Sequence, residues 1–410
     1  MDGKLTYLPR TLERFFAQAA SQFPVMLVTG PRQIGKTTFL RHLASDSRNY
    51  VTLDDPLLRE LANEEPALFL QRFKAPVLID EIQYAPGLLP HIKIEVDRDR
   101  KGGMYWLTGS QQFHLMRDVA ESLAGRVGVV NLLGLSRREL IGKADSVPFL
   151  PGSDVLSARD DEPVMQLPEL FQSIWVGSFP ALHGGPVVER DLFYSSYVQT
   201  YLQRDVRDLA NVGDERAFLR FLRACAARTG QMLNMQDLSR DSDINPATAK
   251  RWLSILESSG IVYLLEPWHS NINKRMVKTP KLYFLDTGLA GYLTEWSSAA
   301  TLEAGAMSGA FLETWVVSEI LKSWWHNGKR APLHYYRDKD TKEVDLLIHQ
   351  DGIIYPVEVK KSANPGKDSI RNFKALGSLG QPIGEGAVIS LVPMRLPIAE
   401  GVMAVPVGML

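Results

Sequence analysis

Gly30-Pro31-Arg32-Gln33-Ile34-Gly35-Lys36-Thr37 interrupts an apolar run, VMLV, with two glycines, a proline and a lysine, and helix-like spacing resumes in TFLRHLA. The pattern is G-x-x-x-x-G-K-[ST], and phosphate chemistry explains it. Glycines let successive backbone N–H groups turn inward around an anion, and the helix that follows aims its positive end at the same point. Lys36 then reaches the terminal phosphates and the Thr37 hydroxyl ligates Mg²⁺, with Thr38 closing the ATP-binding stretch. A second run, APVLIDEIQ, ends in two acids. Buried parallel strands deliver their last side chains to the crevice that holds the phosphates. Asp80 is therefore placed to hold magnesium through water, and Glu81 to orient the attacking water. A third run, MYWLTGSQQ, ends in Ser110 and Gln111, small polar groups suited to sensing the γ-phosphate or that water.

The far end of the chain suggests a different phosphate chemistry. KEVDLLIHQDGIIYPVEVKKS puts Asp345 on one strand and Glu358 and Lys360 on the next, the last two on one face. Two acids can hold Mg²⁺ against a scissile phosphate while a lysine activates or stabilises the attacking water. Glu313, on the helix before, is an additional candidate ligand. The spacing resembles the D…E-x-K core of restriction-type nuclease folds, whose relatives also include inactive binding modules.

Between these two regions, NMQDLSRDSDINPATAKRWLSILESSGIVYLLEP reads as helix, tight turn and second helix, with Leu253 and Leu256 spaced for burial. Lys250 and Arg251 fall on the candidate recognition helix. NINKRMVKTPKLYFLD, a candidate wing, then carries Lys274, Arg275, Lys278 and Lys281 with no acid before Asp286. Residues 216–281 hold eleven Lys and Arg against five Asp and Glu, in a chain whose net charge is -1. A local excess of this kind is how a neutral protein binds the DNA backbone. Winged helices also serve as dimerisation or lid modules, and that alternative stays open.

These residues need a scaffold. A chain of 410 residues exceeds what one core usually serves. VMLVTG, NYVTLDD, APVLIDE, MYWLTGS and GRVGVVNLLGLS alternate with helical stretches, which predicts a parallel sheet covered on both faces. Residues 141–165 carry Pro, Gly, Ser and Asp without periodicity and read as a linker or mobile insertion. Helices follow to about residue 230, and a long helix, GAFLETWVVSEILKSWW, precedes the paired acidic strands. The single cysteine, Cys225, lies in a helical pattern and excludes an intrachain disulfide or a thiolate metal site. No secretory leader or spanning helix is expected, so the reading is cytoplasmic.

The loop, the strand-borne Asp-Glu, a polar strand end about thirty residues on, and ESLAGRV together resemble the AAA superfamily. Within it they resemble the bacterial and archaeal ATP-binding proteins whose loop reads G-P-R-Q-x-G-K-T-T. The resemblance extends to YVQTYLQRDV, RTGQMLN, KTPKLYFLDTGLAGYL and GAFLETWV, and so to nearly the whole chain. It implies that Arg126, just before the fifth strand, reaches a neighbouring subunit's ATP as an arginine finger, which requires a homo-oligomer. An ordinary surface arginine capping helix carbonyls is the other reading. The expected fold class is α/β: an AAA-type ATPase core over 1–140, a linker and helical lid over 141–215, a winged-helix-like module over 216–296 and a restriction-nuclease-like domain over 297–410. The expected function is Mg²⁺-dependent ATP hydrolysis coupled to DNA, the alternative being an ATP-dependent assembly switch without nucleic acid.

Overall fold

Val25–Thr29 (β1) is buried at every position. An unbroken apolar run of this kind belongs to a parallel strand covered on both faces. In the computed structural model, which describes residues 7–109, 119, 121–144, 146–160, 162–184, 188–202, 215–268 and 279–410, β1 lies inside a five-stranded parallel sheet. The order is β2-β3-β4-β1-β5, with β2 at Asn49–Thr52, β3 at Val77–Asp80, β4 at Tyr105–Thr108 and β5 at Val127–Asn131. The chain leaves β1 for the far edge, returns strand by strand to β4, and crosses to β5. The C-terminal end of β1 is thus the crevice where open α/β sheets hold ligands.

Alternate β1 side chains serve opposite faces. Met26 and Val28 join Phe16 of Leu12–Gln22 (α1) and Phe39 of Lys36–Leu43 (α2), whereas Val25 and Leu27 join Leu88, Ile92 and Val96 of Leu88–Asp99.

In the middle of the chain, helices Glu215–Ala226, Met235–Ser242 and Pro246–Ser258 enclose Phe218, Phe221 and Trp252, whose rings meet edge to face. Asn234 and Asn245 cap the second and third helices through their side chains, and Pro246 fills the first helical position, where its missing N–H costs nothing. A three-stranded antiparallel sheet, β6-β8-β7, closes this unit, with β6 at Gln231–Met232, β7 at Val262–Leu265 and β8 at Lys281–Phe284.

The helix Ser308–Trp325 then leads into β9 (Leu333–Arg337), β10 (Glu343–Gln350) and β11 (Ile353–Val359), an antiparallel meander. Beyond it β12 (Gly386–Ser390) runs parallel to β11 and β14 (Val402–Pro406) parallel to β12, with β13 (Leu396–Ala399) antiparallel at the edge. This makes a mixed six-stranded sheet.

Residues 141–165 differ from the linker their composition suggests. Phe149, Leu156 and Met165 are buried. The Phe149 N–H donates to Ser323 Oγ at 2.9 Å, the Trp324 indole donates to the Phe149 carbonyl at 3.1 Å, and Arg159 Nη1 donates to the Met409 carbonyl at 2.7 Å. The apolar anchors are spaced too irregularly among turn formers to show any period. One continuous apolar interior, with Val28, Phe218, Trp315 and Val405 among its members, runs through all the segments expected from sequence.

An ionic tie reinforces it. Fully buried Glu139 lies 3.3 Å from Arg10 Nε and 3.1 Å from His326 Nδ1, and accepts from the Thr11 and Ser136 N–H groups at 2.8 and 2.9 Å. Burial alone would raise its carboxyl pKa, but Arg10 and His326 outweigh it and hold the group well below the ordinary range.

Candidate functional site

Residues 30–35 link β1 to α2. Gly30 has φ +138°, and a Cβ there would stand 2.0 Å from the Leu132 carbonyl oxygen, so no other residue fits. Gln33 and Gly35 are left-handed, at φ 60° and 88°. Alternation of handedness turns backbone N–H groups toward a common centre. Between them Pro31 and Ile34 are buried, and the Ile34 carbonyl accepts from Arg10 Nη1 at 3.4 Å; Arg32 is half-buried. Lys36, 6% exposed, folds back over the loop, its Nζ donating to the Pro31 carbonyl at 2.7 Å and the Gly30 carbonyl at 3.1 Å. The ammonium thus sits against two carbonyl oxygens of the loop.

Asp80, the last residue of β3 and 4% exposed, receives three hydroxyls. Thr37 Oγ1 donates to its Oδ1 at 2.8 Å, Thr108 Oγ1 to the same oxygen at 2.5 Å, and Tyr50 to Oδ2 at 3.1 Å. Burial and the Asp80 charge push the Tyr50 phenol up to about 12. Glu81 is left-handed, at φ 59°; its N–H donates to Thr108 Oγ1 at 2.9 Å and its carboxylate accepts from Gln83 Nε2. A single hydroxyl, Thr108, therefore joins the backbone of Glu81 to the side chain of Asp80.

Ser110 and Gln111 lie outside the described residues. Thr108 and Tyr50 are residues the sequence reading passed over. Thr108 stands two places before Ser110 in the same run, and strand alternation was the available signal; Tyr50 carried none beyond β propensity.

Arg126 precedes β5 and forms a two-pronged pair with Asp97 of its own chain, at 2.5 and 2.8 Å, while Nη1 donates to the Ala124 carbonyl at 2.9 Å. The pair lies at the surface. Their mutual hydrogen bonds pull the Asp97 carboxyl below its usual range and push the Arg126 guanidinium up.

Beside the loop opens a cavity of about 200 Å³. Tyr7, Leu8, Ile34, Phe39, Pro180 and Ala181 line it, with Thr38 and Gly35 on the loop side. Tyr7 stacks on His42 of α2 with ring centres 3.8 Å apart. Sequence reading missed this wall too, because its parts, Leu135 among them, lie in four separate stretches of chain.

In the middle module Lys250 and Arg251 are exposed on Pro246–Ser258, while Ala249, Trp252, Leu253 and Leu256 of the same helix are buried. Lys274, Arg275 and Lys278 lie outside the described residues. Lys281 does not belong to a basic surface: its side chain is 3% exposed and paired with acids.

Those acids, Glu313 on the helix Ser308–Trp325 and Glu343 on β10, belong to the C-terminal domain, where the structure gathers Glu313, Asp345, Glu358 and Lys360. Lys360 Nζ lies 2.7 Å from Glu358 and 3.7 Å from Asp345, and the Val359 N–H donates to Asp345 at 2.9 Å. Glu313 accepts from Lys281 at 3.0 Å and Tyr283 at 2.6 Å. Burial, then the charge of Asp345, push the Glu358 carboxyl up to about 9; the same two causes raise Glu313. Among the described residues no group of three or more His, Cys, Asp or Glu is arranged to hold a metal ion. Nor, among them, is any helix long and apolar enough to cross a membrane.

Comparison with known proteins divides the chain in three. Residues 22–141 match an AAA domain, and residues 167–300 and 308–410 match two domains of unknown function, DUF8612 and DUF4143. The Walker-type ATPase of Pyrococcus abyssi is 16% identical, over 70% of this chain and 96% of that one, with a TM-score of 0.39. A signal transduction ATPase with numerous domains from Pyrococcus horikoshii, bearing a tetratricopeptide repeat sensor, is 13% identical over 80% of this chain and 48% of that one, with a TM-score of 0.25. Uncharacterized proteins of Mycobacterium tuberculosis and Mycobacterium bovis are each 30% identical over 394 residues, 95% of this chain and 81% of theirs. The chain belongs to the family of these two mycobacterial proteins, with an AAA-type P-loop ATPase core followed by two domains of unknown function.

Proposed function

We propose that the protein binds and hydrolyses ATP at the end of β1 and couples that cycle to DNA through its middle and C-terminal domains. The observation that carries the reading is the loop, in which Gly30, Gln33 and Gly35 have positive φ and Lys36 folds back onto the Gly30 and Pro31 carbonyls. A triphosphate would take the place of the Gly30 and Pro31 carbonyls as partner of that ammonium. Its base would enter the apolar cavity beside Tyr7.

Thr37 and Asp80 bring a hydroxyl and a carboxylate into contact, a pair of hard oxygens that fits Mg²⁺. When bound there, the ion would neutralise charge on the β- and γ-phosphates. Glu81 takes the role of orienting the attacking water, and Ser110 that of sensing the γ-phosphate. Arg126 is assigned to a neighbouring subunit's nucleotide in a homo-oligomer; its surface pair with Asp97 is of the weak, exchangeable kind.

The DNA assignment rests on topology and charge. Three helices with a three-stranded antiparallel sheet behind them suit a winged helix, with Lys250 and Arg251 on its exposed face and Lys274, Arg275 and Lys278 in the wing sequence. A helix, an antiparallel meander and a parallel fourth strand suit a nuclease-like domain around Glu313, Asp345, Glu358 and Lys360. The continuous interior favours a second reading, an assembly switch in which DNA takes no part.

ATPase rates with and without duplex DNA at two salt concentrations separate the two readings. Salt-sensitive stimulation is expected for the first and none for the second. Lys36→Ala should lose ATP binding, and Glu81→Gln should keep it while turnover falls about a hundredfold or more; unchanged turnover in both refutes the site.

A further inference from the structure

Lys281 opens β8 in the middle module, yet its ammonium lies among the acids of the C-terminal domain. It stands 3.0 Å from Glu313 and 2.6 Å from Glu343, with its side chain 3% exposed. Tyr283, on the same face two residues later, donates to the same Glu313 oxygen. On the other side of the cluster Lys360 pairs with Glu358 and Asp345. Every acid of the group has an ammonium partner, Lys360 just past the end of β11 and Lys281 buried at the start of β8, and the partner of Glu313 comes from a different domain.

A divalent ion needs oxygen ligands converging on one point at about 2.0–2.6 Å, and here those would be the carboxylates. An ammonium 3 Å from Glu313 opposes that convergence by both charge and volume. It also cannot leave cheaply, because buried carboxylates would stay uncompensated.

We propose that Lys281 is the built-in counter-cation of this cluster, standing in for the divalent ion that a cutting site of this strand arrangement requires, so that the C-terminal domain is closed to metal and does not cleave DNA. The inference rests on the nuclease-like reading of the C-terminal sheet. It also makes Lys281 the pin between the middle module and that sheet.

The test is Mn²⁺ binding to the full, nucleotide-free chain, with free ion read by electron paramagnetic resonance. The wild type is expected to show no Mn²⁺ site that depends on Asp345. Lys281→Met should gain one, with affinity raised at least tenfold, and Lys281→Met with Asp345→Asn should lose it again. A wild-type site that Asp345→Asn removes overturns the proposal and leaves the nuclease-like reading standing. A folded Lys281→Met that takes no Mn²⁺ overturns both. Should Lys281→Met fail to fold by circular dichroism, wild type against Asp345→Asn decides alone: an Asp345-dependent site refutes the proposal, and its absence upholds it.

Discussion

Thr108→Val removes one hydroxyl and keeps the shape of the side chain. Thr108 is fully buried, and its Oγ1 donates to Asp80 Oδ1 while accepting the Glu81 N–H at 2.9 Å. A hydrogen bond to a charged group contributes about 1.5–3 kcal/mol, and a buried N–H left without a partner costs about 1–3 kcal/mol. Partial relaxation of the strand end brings the expected loss of stability to roughly 3 kcal/mol, a fall of several degrees in melting temperature. The same hydroxyl fixes Glu81 relative to Asp80, so a loss of about 2 kcal/mol from the transition state would lower kcat about thirtyfold. KM for ATP should move by less than about threefold, because the loop and the cavity are untouched. Thr108→Ser, which retains the hydroxyl, should recover most of both effects. Steady-state ATPase kinetics and a thermal melt on the three proteins check this. Wild-type kcat together with a wild-type melting temperature in Thr108→Val would refute the idea that this hydroxyl holds the two acids.

Two further outcomes follow from residues remote from the loop in sequence. A Cβ at Gly260 would meet Pro31 Cγ at 2.9 Å and Cδ at 3.0 Å, so Gly260→Ala should shift the loop and weaken ATP binding roughly tenfold by calorimetry. Gly401→Ala is the matched control: Gly401 has the same φ of +68°, but nothing lies within 4 Å of its Cβ position, so it should leave ATP affinity unchanged. Glu139→Gln breaks a buried ionic tie and should cost roughly 3 kcal/mol at pH 7. Because the native carboxyl pKa lies below its unfolded value, that stability is fully present above the ordinary carboxylate range and is lost as pH falls through the native value. The gap in melting temperature between wild type and variant should therefore be widest near neutrality and narrow below about pH 4.5.

Legibility in the sequence followed the range of each interaction. The loop, its flanking strand and helix, and the acids at the end of β3 are set by neighbours within a few residues, so composition and period expose them. The caps at Asn234 and Asn245 are local in the same way. Thr108 is polar at a position where polarity alone says little; only the meeting of β3 and β4 gives it a role. Tyr7, Phe39 and Pro180 share a cavity through folding, and no spacing in the chain relates them. Phe149 and Arg159 hold a segment whose composition reads as a linker, because their partners, Ser323 and Met409, are 174 and 250 residues away.

Lys281 shows the same limit in its charge. In the sequence it belongs to a run of basic residues with no acid nearby, which reads as a surface for phosphates. In the fold it is the one member of that run within the described residues, and it faces Glu313 and Glu343, respectively 32 and 62 positions along the chain. Counting charge along a chain assigns each residue to its neighbours in sequence, whereas the electrostatic energy depends on neighbours in space. The basic excess between residues 216 and 281 is accordingly smaller at the surface than in the sequence. On the proposed DNA reading, Lys250 and Arg251, exposed on one helix, are among the described residues that would make a salt-dependent contact.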